Sequence, residues 1–458
     1  MSSFQQKARE RAVAAAFPVL ICSLFLVFSA LFEVVPGIWR ARPQLILGAI
    51  GLFVLFTTGE AMRVVMAPIG KSLLIFTAWF VICIPFAIWR GGSFGVLIGL
   101  WYKSVLMFVL TAGLLSTLPH AKKLFRTIGY AVALMAMLAL ARHTYSMGRL
   151  TLPYTRFANS NDLAVTLLVG LTFLGYLFLR GSSRERIVAV FLSAPVALAL
   201  LKTGSRGALL GVAMLCVFGF LQASKRTKVK MAIAAPLILI VLAVVVPSNL
   251  RERYTTLFKS GGETSLTEQD RRTTEETKEY MAATGSAEAR FRLLKDSITI
   301  TLNHPIFGVG PGNFMVEQEN LAVARGELGM WHVTHNSYTQ VSSEMGIPGL
   351  VLYVAFLYQT FKVLNSIVRN RQGGERWADL RALGSSLRGA IIVLATIAFF
   401  DSFAYLPDVP ILAGLASALG YLAQKQRAAD RTASAQSTVP PPLPEPESVL
   451  EPAWAGPF

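Results

Sequence analysis

Long apolar stretches recur along this chain from near residue 14 to near residue 423. A helix of about 20 apolar residues is long enough to cross a bilayer. Only 15% of the 458 residues are charged, whereas a soluble protein of this length carries roughly a quarter. Lipid offers no partners for open backbone N–H and C=O groups, so the spanning segments are expected to be helices. The sequence therefore predicts an all-α polytopic membrane protein.

The apolar windows divide the chain into about twelve predicted spans. These spans cover residues 14–35, 43–58, 71–89, 93–115, 125–142, 161–180, 184–201, 206–222, 229–246, 348–368, 388–405 and 408–423. The predicted organisation is an N-terminal bundle (1–246), a large extracytoplasmic loop between spans 9 and 10 (247–347), three C-terminal spans (348–423) and a tail (424–458). The tail contains the Pro-rich run "TVPPPLPEPE", which is typical of disorder.

The positive charges predict the orientation of these spans. The formal net charge is +17, and the basic residues cluster in short loops such as "HAKKLFR", "RGSSRER" and "SKRTKVK". Loops rich in Lys and Arg stay on the cytoplasmic side. We therefore expect both termini in the cytoplasm and the loop 247–347 outside. Because this charge follows the loops of a membrane topology, nucleic-acid binding is not indicated.

The long outer loop is the one sizeable soluble-like piece of the predicted topology. Its first part includes a charged, Thr- and Glu-rich insert at 259–289, a composition that favours mobility. From Arg290 onward, Phe291, Leu294 and Ile298 follow helical spacing, which predicts an amphipathic helix at the membrane surface. Several Gly and Pro residues then predict a tight turn in "HPIFGVGPGNF".

Polar and charged residues collect at the predicted outer ends of the spans. They are Arg156, Asn161, Arg206, Arg290, His335 and Asp401. Charges at membrane depth are costly and tend to mark functional sites. Each residue also has a purely structural interpretation: the arginines can bind lipid headgroups or backbone carbonyls, His335 can cap the following helix, and Asp401 can pair with a nearby cation.

Together these residues offer the minimum chemistry for moving a glycosyl group off a lipid diphosphate. Two guanidinium groups match phosphate oxygens bidentately and stay charged at all physiological pH values. A histidine can accept the proton of an attacking hydroxyl as a general base. The arginines would then stabilise the charge of the leaving group in place of a metal.

A metal site is not predicted. His332 and His335 stand three positions apart, but no convincing third ligand lies near them in the sequence, and a zinc site needs three or four ligands. The outer loops also lack a paired acidic motif of the DxD type for a catalytic divalent ion. We therefore expect no metal and no cofactor.

The outer loop also resembles a known family. "RFRLLKDSITITLNHPIFGVGPGNF" and "HNSYTQVSSEMGIPGL" resemble the signature of the O-antigen ligase/polymerase superfamily of bacterial membrane glycosyltransferases. That signature is an Arg-led helix ending in His-Pro, then Gly-x-Gly-x-Gly-x-Phe, His-Asn-x-Tyr and Glu-x-Gly-x-x-Gly. Here the elements fall on Arg290, His304–Pro305, Gly308 to Phe314, His335 to Tyr338 and Glu344 to Gly349. "TGSRGALLG" and "FANSNDLA" resemble upstream family motifs.

The resemblance implies a GT-C-like membrane enzyme without a metal or other cofactor. Such an enzyme transfers a glycan, with inversion, from undecaprenyl diphosphate to an acceptor at the periplasmic face of the bacterial inner membrane. By motif, His335 is the catalytic base, and Arg206 and Arg290 contact the diphosphate; Arg292 is a rival for Arg290. Supporting positions are Arg156, Asn161, Asn336, Glu344 and Asp401. The family commonly has an aromatic residue four positions after the arginine, and this chain has Leu294 there.

Several alternatives stay open at this point. Ligases transfer the glycan to lipid A core or a similar acceptor, polymerases extend a second carrier-linked glycan, and some members glycosylate proteins. A lipid-linked glycan flippase would also have about a dozen spans, but such transporters favour internal repeats and polar sites near the midplane. This sequence shows no obvious repeat, although Lys103 in the fourth span fits a transporter better.

Overall fold

The computed structural model describes residues 3–35, 37–146, 148–233, 274–326 and 331–437. These residues are mostly helical, as expected of an all-α membrane protein. The first helices are α1 (Ser3–Ala15), α2 (Phe17–Ser29), α3 (Leu31–Val34), α4 (Pro43–Thr57), α5 (Glu60–Met66), α6 (Pro68–Cys83), α7 (Arg90–Val96), α8 (Tyr102–Leu114) and α9 (Leu118–Arg142). Short turns at Ile38–Ala41, Ile84–Phe86 and Leu97–Trp101 adjoin them.

A small antiparallel hairpin follows α9, with strands β1 (Tyr145–Ser146) and β2 (Arg149–Leu150). Three helices come next: α10 (Ser160–Arg180), α11 (Ser183–Lys202) and α12 (Arg206–Gln222). After the gap, the helices are α13 (Thr274–Asn303), α14 (Phe314–Ala324), α15 (Ser337–Val368), α16 (Glu375–Ile397) and α17 (Asp408–Ser437). The hairpin was not predicted from the sequence.

Seven helices of the described residues are long and apolar enough to cross a membrane, or eight if the bent pair α4–α5 forms one broken span. The seven are Ala8–Ser29, Pro68–Phe86, Arg90–Leu114, Leu118–Arg142, Ser160–Arg180, Ser337–Val368 and Glu375–Ile397. The prediction of several apolar spanning helices is therefore confirmed. The exact number of about twelve stays a prediction, and most of the predicted ninth span (229–246) lies outside the described residues.

Two predicted spans near the C-terminus have different limits in the structure. The span placed at 348–368 belongs to α15, which begins at Ser337 and is kinked at Gly346, where φ is 71°. The prediction of a span at 388–405 is wrong in its limits, because α16 covers Glu375–Ile397 and the residues 398–407 form a largely irregular segment. We call residues 398–407 the connecting segment.

Paired polar side chains explain why α16 and α17 extend past the apolar windows. Asp379 is buried near the start of α16 and forms ion pairs with Lys122 and Arg180, which offsets the cost of its charge. Trp377 donates to Asp430 across the two helices at 2.8 Å. Helix α17 therefore continues to Ser437, into the region predicted as a disordered tail from residue 424; residues 438–458 lie outside the described residues.

The predicted amphipathic helix after Arg290 forms the second half of α13. Leu293 and Ile300 of this helix pack inside the protein, while Phe291 and Ile298 are exposed, and its placement at the membrane surface stays a prediction. The segment after α13 then turns through glycines with positive φ, which L-residues rarely adopt. This turn brings the loop back against α15.

Candidate active site

The histidine loop immediately precedes α15. Asn336 caps this helix: its side-chain oxygen accepts hydrogen bonds from the backbone N–H groups of Tyr338 at 2.9 Å and Thr339 at 3.1 Å. Such a cap satisfies N–H groups that a helix otherwise leaves open. His335 has a φ of 52°, in the left-handed region. The imidazole is therefore held directly before a fixed helix end.

The connecting segment is bound to this same loop. Ser337 Oγ donates to the backbone oxygen of Asp401 at 2.7 Å, and the hydroxyl groups of Thr334 and Ser402 lie 2.8 Å apart. Thr334 and Ser337, which flank His335 in the sequence, are thus hydrogen-bonded to Ser402 and Asp401. The predicted site residues His335 and Asp401, distant in sequence, are neighbours in the fold.

Two arginines act on the imidazole of His335. Burial and the positive charges of Arg290, His332 and Arg149 lower the pKa of His335 from its ordinary 6.5 to about 4. The rings of His332 and His335 have centroids 6.4 Å apart. His335 is therefore neutral at pH 7, and its Nδ1 atom is buried with no hydrogen-bond partner among the described residues. A neutral imidazole can accept a proton.

Asp401 faces the same two arginines. Its side chain is buried, and one carboxylate oxygen accepts from the backbone N–H of Ser402 at 3.0 Å. Burial raises the pKa of Asp401 to about 6, against the opposing effects of that hydrogen bond and of Arg290 and Arg149. Burial likewise lowers the pKa of Arg290, while Asp401 acts to raise it. We call Arg149, Arg290, His335 and Asp401 the histidine cluster.

Arg149 is the member of the cluster that sequence reasoning missed. It lies on strand β2, and its Nε atom donates to the backbone oxygen of Thr203 at 2.8 Å. Its Nη2 atom donates to the side-chain oxygen of Asn161 at 2.6 Å. Asn161, predicted as a supporting residue, thus holds Arg149. No motif marks Arg149 in the sequence; a lone arginine in a short outer loop was the available signal.

Arg206 lies at the border of the cluster. It begins α12, three residues after Thr203, which accepts the hydrogen bond from Arg149. The next residue, Gly207, packs against Phe400, so that an added Cβ would lie 3.0 Å from the Cβ of Phe400. Phe400 directly precedes Asp401. The start of α12 therefore lies next to both Arg149 and the connecting segment.

Glu344 supports the glycine turn. It is buried, and it accepts hydrogen bonds from the backbone N–H groups of Gly312 at 2.8 Å and Phe314 at 3.4 Å. It also accepts from the hydroxyl group of Tyr405 at 2.7 Å. Glu344 thus joins α15, the glycine turn and the connecting segment. Its contacts are those of a residue that positions the loop.

Arg156 lies elsewhere, in a second group of charges. Its guanidinium forms two hydrogen bonds with the carboxylate of Asp408, at 3.3 and 3.2 Å. Its backbone N–H donates to Glu33 at 2.7 Å, and its guanidinium lies 4.5 Å from the ring centre of Phe157. The structure therefore gives Arg156 a partner of its own, on a surface that also includes Asp162.

No three His, Cys, Asp or Glu side chains converge as metal ligands within the described ranges. The expectation of metal-independent chemistry stays a prediction. Arg292 is near Arg290 in α13, but the groups acting on the pKa of His335 include Arg290 and not Arg292. The choice of Arg290 over Arg292 as the loop arginine stays a prediction.

The chain was compared with known proteins. No curated protein matches it. A family model described as O-antigen ligase matches residues 188–354. The matched range includes Arg206, Arg290, His335 and Glu344, while Arg149 and Asp401 lie outside it. This match over residues 188–354, together with the apolar spanning helices, supports the predicted resemblance to the O-antigen ligase/polymerase superfamily of membrane proteins.

Proposed function

We propose that this protein transfers a glycan from undecaprenyl diphosphate to an acceptor hydroxyl, such as one on lipid A core, at the periplasmic face of the inner membrane. The observation that carries the proposal is a neutral, half-buried imidazole near two half-buried arginines, Arg149 and Arg290. The family match adds support, because it covers three of the residues to which roles are assigned. In this proposal His335 is the base, and Arg149, Arg206 and Arg290 bind the diphosphate.

The proposed reaction is a single displacement at the anomeric carbon. The acceptor oxygen forms a bond to that carbon, the bond from the carbon to the diphosphate oxygen breaks, and the diphosphate leaves with the electron pair. The acceptor proton passes to His335. Attack opposite to the leaving group inverts the anomeric configuration.

The charges of the site fit the two states of this reaction. Before the donor binds, burial and the charges of Arg290 and Arg149 lower the pKa of His335 and keep the imidazole neutral. A bound diphosphate brings negative charge beside the arginines, and this charge raises the pKa of the imidazole. The base therefore becomes stronger when the donor is present. The same guanidinium groups then stabilise the charge that develops on the leaving diphosphate.

The test is transfer by purified protein given carrier-linked glycan and acceptor. We expect His335→Ala and Arg206→Ala each to abolish transfer while insertion into the membrane is retained. His332→Ala is the matched control, because this exposed histidine lies three residues away in the same loop; it is expected to retain activity. Normal product from His335→Ala would overturn the base assignment.

Metal independence is tested in the same assay. EDTA is expected to leave the rate unchanged, since the arginines take over the stabilisation of the leaving group. Strong inhibition by EDTA that Mg²⁺ or Mn²⁺ reverses would contradict this expectation.

The acceptor is identified by offering lipid A core and, separately, a second carrier-linked glycan. Extension of lipid A core supports the ligase that we propose, and extension of the carrier-linked glycan would instead make the protein a polymerase. Glycan movement across vesicles without any extension would favour a flippase.

The proposed orientation is tested by cysteine labelling. In a variant without native cysteines, a membrane-impermeant maleimide added from the periplasm should label His332→Cys. Labelling only after the cytoplasmic side is opened would contradict a periplasmic site.

A further inference from the structure

A cavity of about 780 Å³ lies against the connecting segment. Phe403, Leu406 and Pro407 of that segment line the cavity, while Asp401 belongs to the histidine cluster. Asp162 lines the cavity as well and interacts electrostatically with Asp401. The cavity and the cluster are therefore adjacent, and the connecting segment contributes residues to both.

The walls of this cavity are mainly apolar, with contributions from α2, α4, α8 and α10. Helices α8 and α10 belong to membrane-span candidates. A volume near 780 Å³ falls within the range of pockets that bind small ligands, about 300–1,000 Å³. A cavity of this size and lining suits the head region of an amphiphile with the first part of its hydrocarbon chains.

Two cations of the cavity lack an acidic partner. Among the described residues, neither the ammonium of Lys103 nor the guanidinium of Arg42 forms an ion pair. The Lys103 ammonium lies 5.8 Å from the ring centre of Tyr102. The neighbouring Ser104 donates to the backbone oxygen of Tyr405 at 2.7 Å, which fixes Lys103 at the level of the connecting segment.

Two of the three acidic groups that line the cavity interact with Arg156, which lines it as well. Asp408 is paired with Arg156, and Glu33 accepts the backbone N–H of Arg156. The third, Asp162, is repelled by the like charges of Asp401 and Asp408 and attracted by Arg156. Lys103 and Arg42 are both exposed. The positive charge of Lys103 and Arg42 is therefore available to an anionic ligand.

We propose that this cavity binds a phosphate-bearing amphiphile, with its phosphate on Lys103 and Arg42 and its chains along the apolar wall. If the proposed transferase function holds, on which this part rests, the amphiphile is the acceptor. Its hydroxyl then reaches His335 around the connecting segment, while the donor diphosphate occupies the arginines of the histidine cluster. The two lipid substrates thus have separate sites.

The binding test uses dodecyl phosphate as the probe and purified full-length protein in an uncharged detergent. We expect measurable binding to the unaltered protein and at least tenfold weaker binding to Lys103→Gln and to Arg42→Gln. Lys71→Gln is the control, because Lys71 is exposed on α6 outside the cavity. Size-exclusion chromatography of each variant checks that it is folded, and two independent variants keep the result interpretable.

Inorganic phosphate separates the possible sources of the ligand chemistry. It is expected to compete only weakly, since it lacks the chains that the apolar wall would hold. Equal competition by inorganic phosphate would overturn the amphiphile assignment, and undiminished binding by both cavity variants would overturn the site. This measurement requires no glycan transfer, so its failure is distinct from a failure of the proposed function.

The acceptor role has its own readout in the transfer assay. Dodecyl phosphate should raise the apparent KM for the acceptor and leave the KM for the donor unchanged. Competition with the donor instead would overturn the assignment of the cavity to the acceptor.

Discussion

Replacing Arg290 by Gln is expected to raise the pKa of His335. Burial is the largest cause of the low pKa of His335, and the charge of Arg290 is the next. The variant removes the charge but keeps most of the burial. The pKa should therefore rise from about 4 toward the ordinary 6.5 without reaching it.

The size of the effect follows from the titration of the imidazole. With a pKa of about 4, about one His335 in a thousand is protonated at pH 7, and about 3% at pH 5.5. An imidazole with the ordinary pKa would be about 90% protonated at pH 5.5. The difference between the two pKa values corresponds to about 3 kcal/mol against the charged form. Measurements near pH 5.5 thus separate the two cases most clearly.

The sign of the effect on stability follows from the same values. The unfolded chain binds a proton at His335 near pH 6.5, whereas the folded protein does so only near pH 4. Protonation therefore costs the folded state nothing above about pH 6.5, and the cost grows to at most about 3 kcal/mol as the pH falls to about 4. In Arg290→Gln this pH-dependent loss of stability should be smaller.

The assay is the rate of modification of His335 by diethyl pyrocarbonate, which attacks the neutral imidazole, followed by peptide mass spectrometry between pH 4 and pH 8. The unaltered protein should react at pH 5.5 nearly as fast as at pH 7.5, whereas Arg290→Gln should react more slowly at pH 5.5. Arg292→Gln is the matched control on the same helix and should behave as the unaltered protein. A midpoint near 6.5 in the unaltered protein would refute the account of burial and charge.

Three further outcomes are expected. Glu344→Ala leaves buried backbone N–H groups without an acceptor and should lower the free energy of unfolding by about 2–4 kcal/mol in a thermal unfolding assay. Glu10→Ala, which removes an exposed ion pair, is the control and should have little effect. Equal melting temperatures of the two variants would contradict the role of Glu344. Gly346→Ala would place a Cβ 2.0 Å from a backbone oxygen and should greatly reduce the yield of folded protein, while Gly219→Ala, with open space around it, should not. Arg149→Gln should reduce transfer by about a hundredfold or more, as expected for the loss of one charge-stabilising donor; full activity would remove Arg149 from the proposed site.

The structure brings some of the predicted site residues together and places others elsewhere. The motif positions His335 and Arg290 do lie together, and Asp401 joins them although it follows the predicted outer loop by more than 50 positions in the sequence. Arg156 was grouped with them by its predicted membrane depth, but it pairs with Asp408 at the cavity that Lys103 lines. Depth along a span can be estimated from hydropathy. The direction in which a residue faces around the bundle depends on packing.

The supporting residues show the same distinction. Asn336 holds the start of α15, and Glu344 holds the glycine turn through backbone N–H groups. Their motifs marked both as important, but only the hydrogen bonds show that they act on loop conformation. Arg149 had no motif at all, and its place in the cluster depends on a hairpin and on its bonds to Asn161 and Thr203.

The sequence by itself determined that the chain crosses the membrane as helices and which loop carries the candidate base, because hydropathy and local motifs are properties of contiguous residues. The tertiary structure decided which charges meet. The connecting segment packs on the histidine loop through the contacts of Ser337 and Thr334, and this contact brings Asp401 to His335. Such long-range contacts form when helices distant in sequence pack together, and no local pattern of residues encodes them.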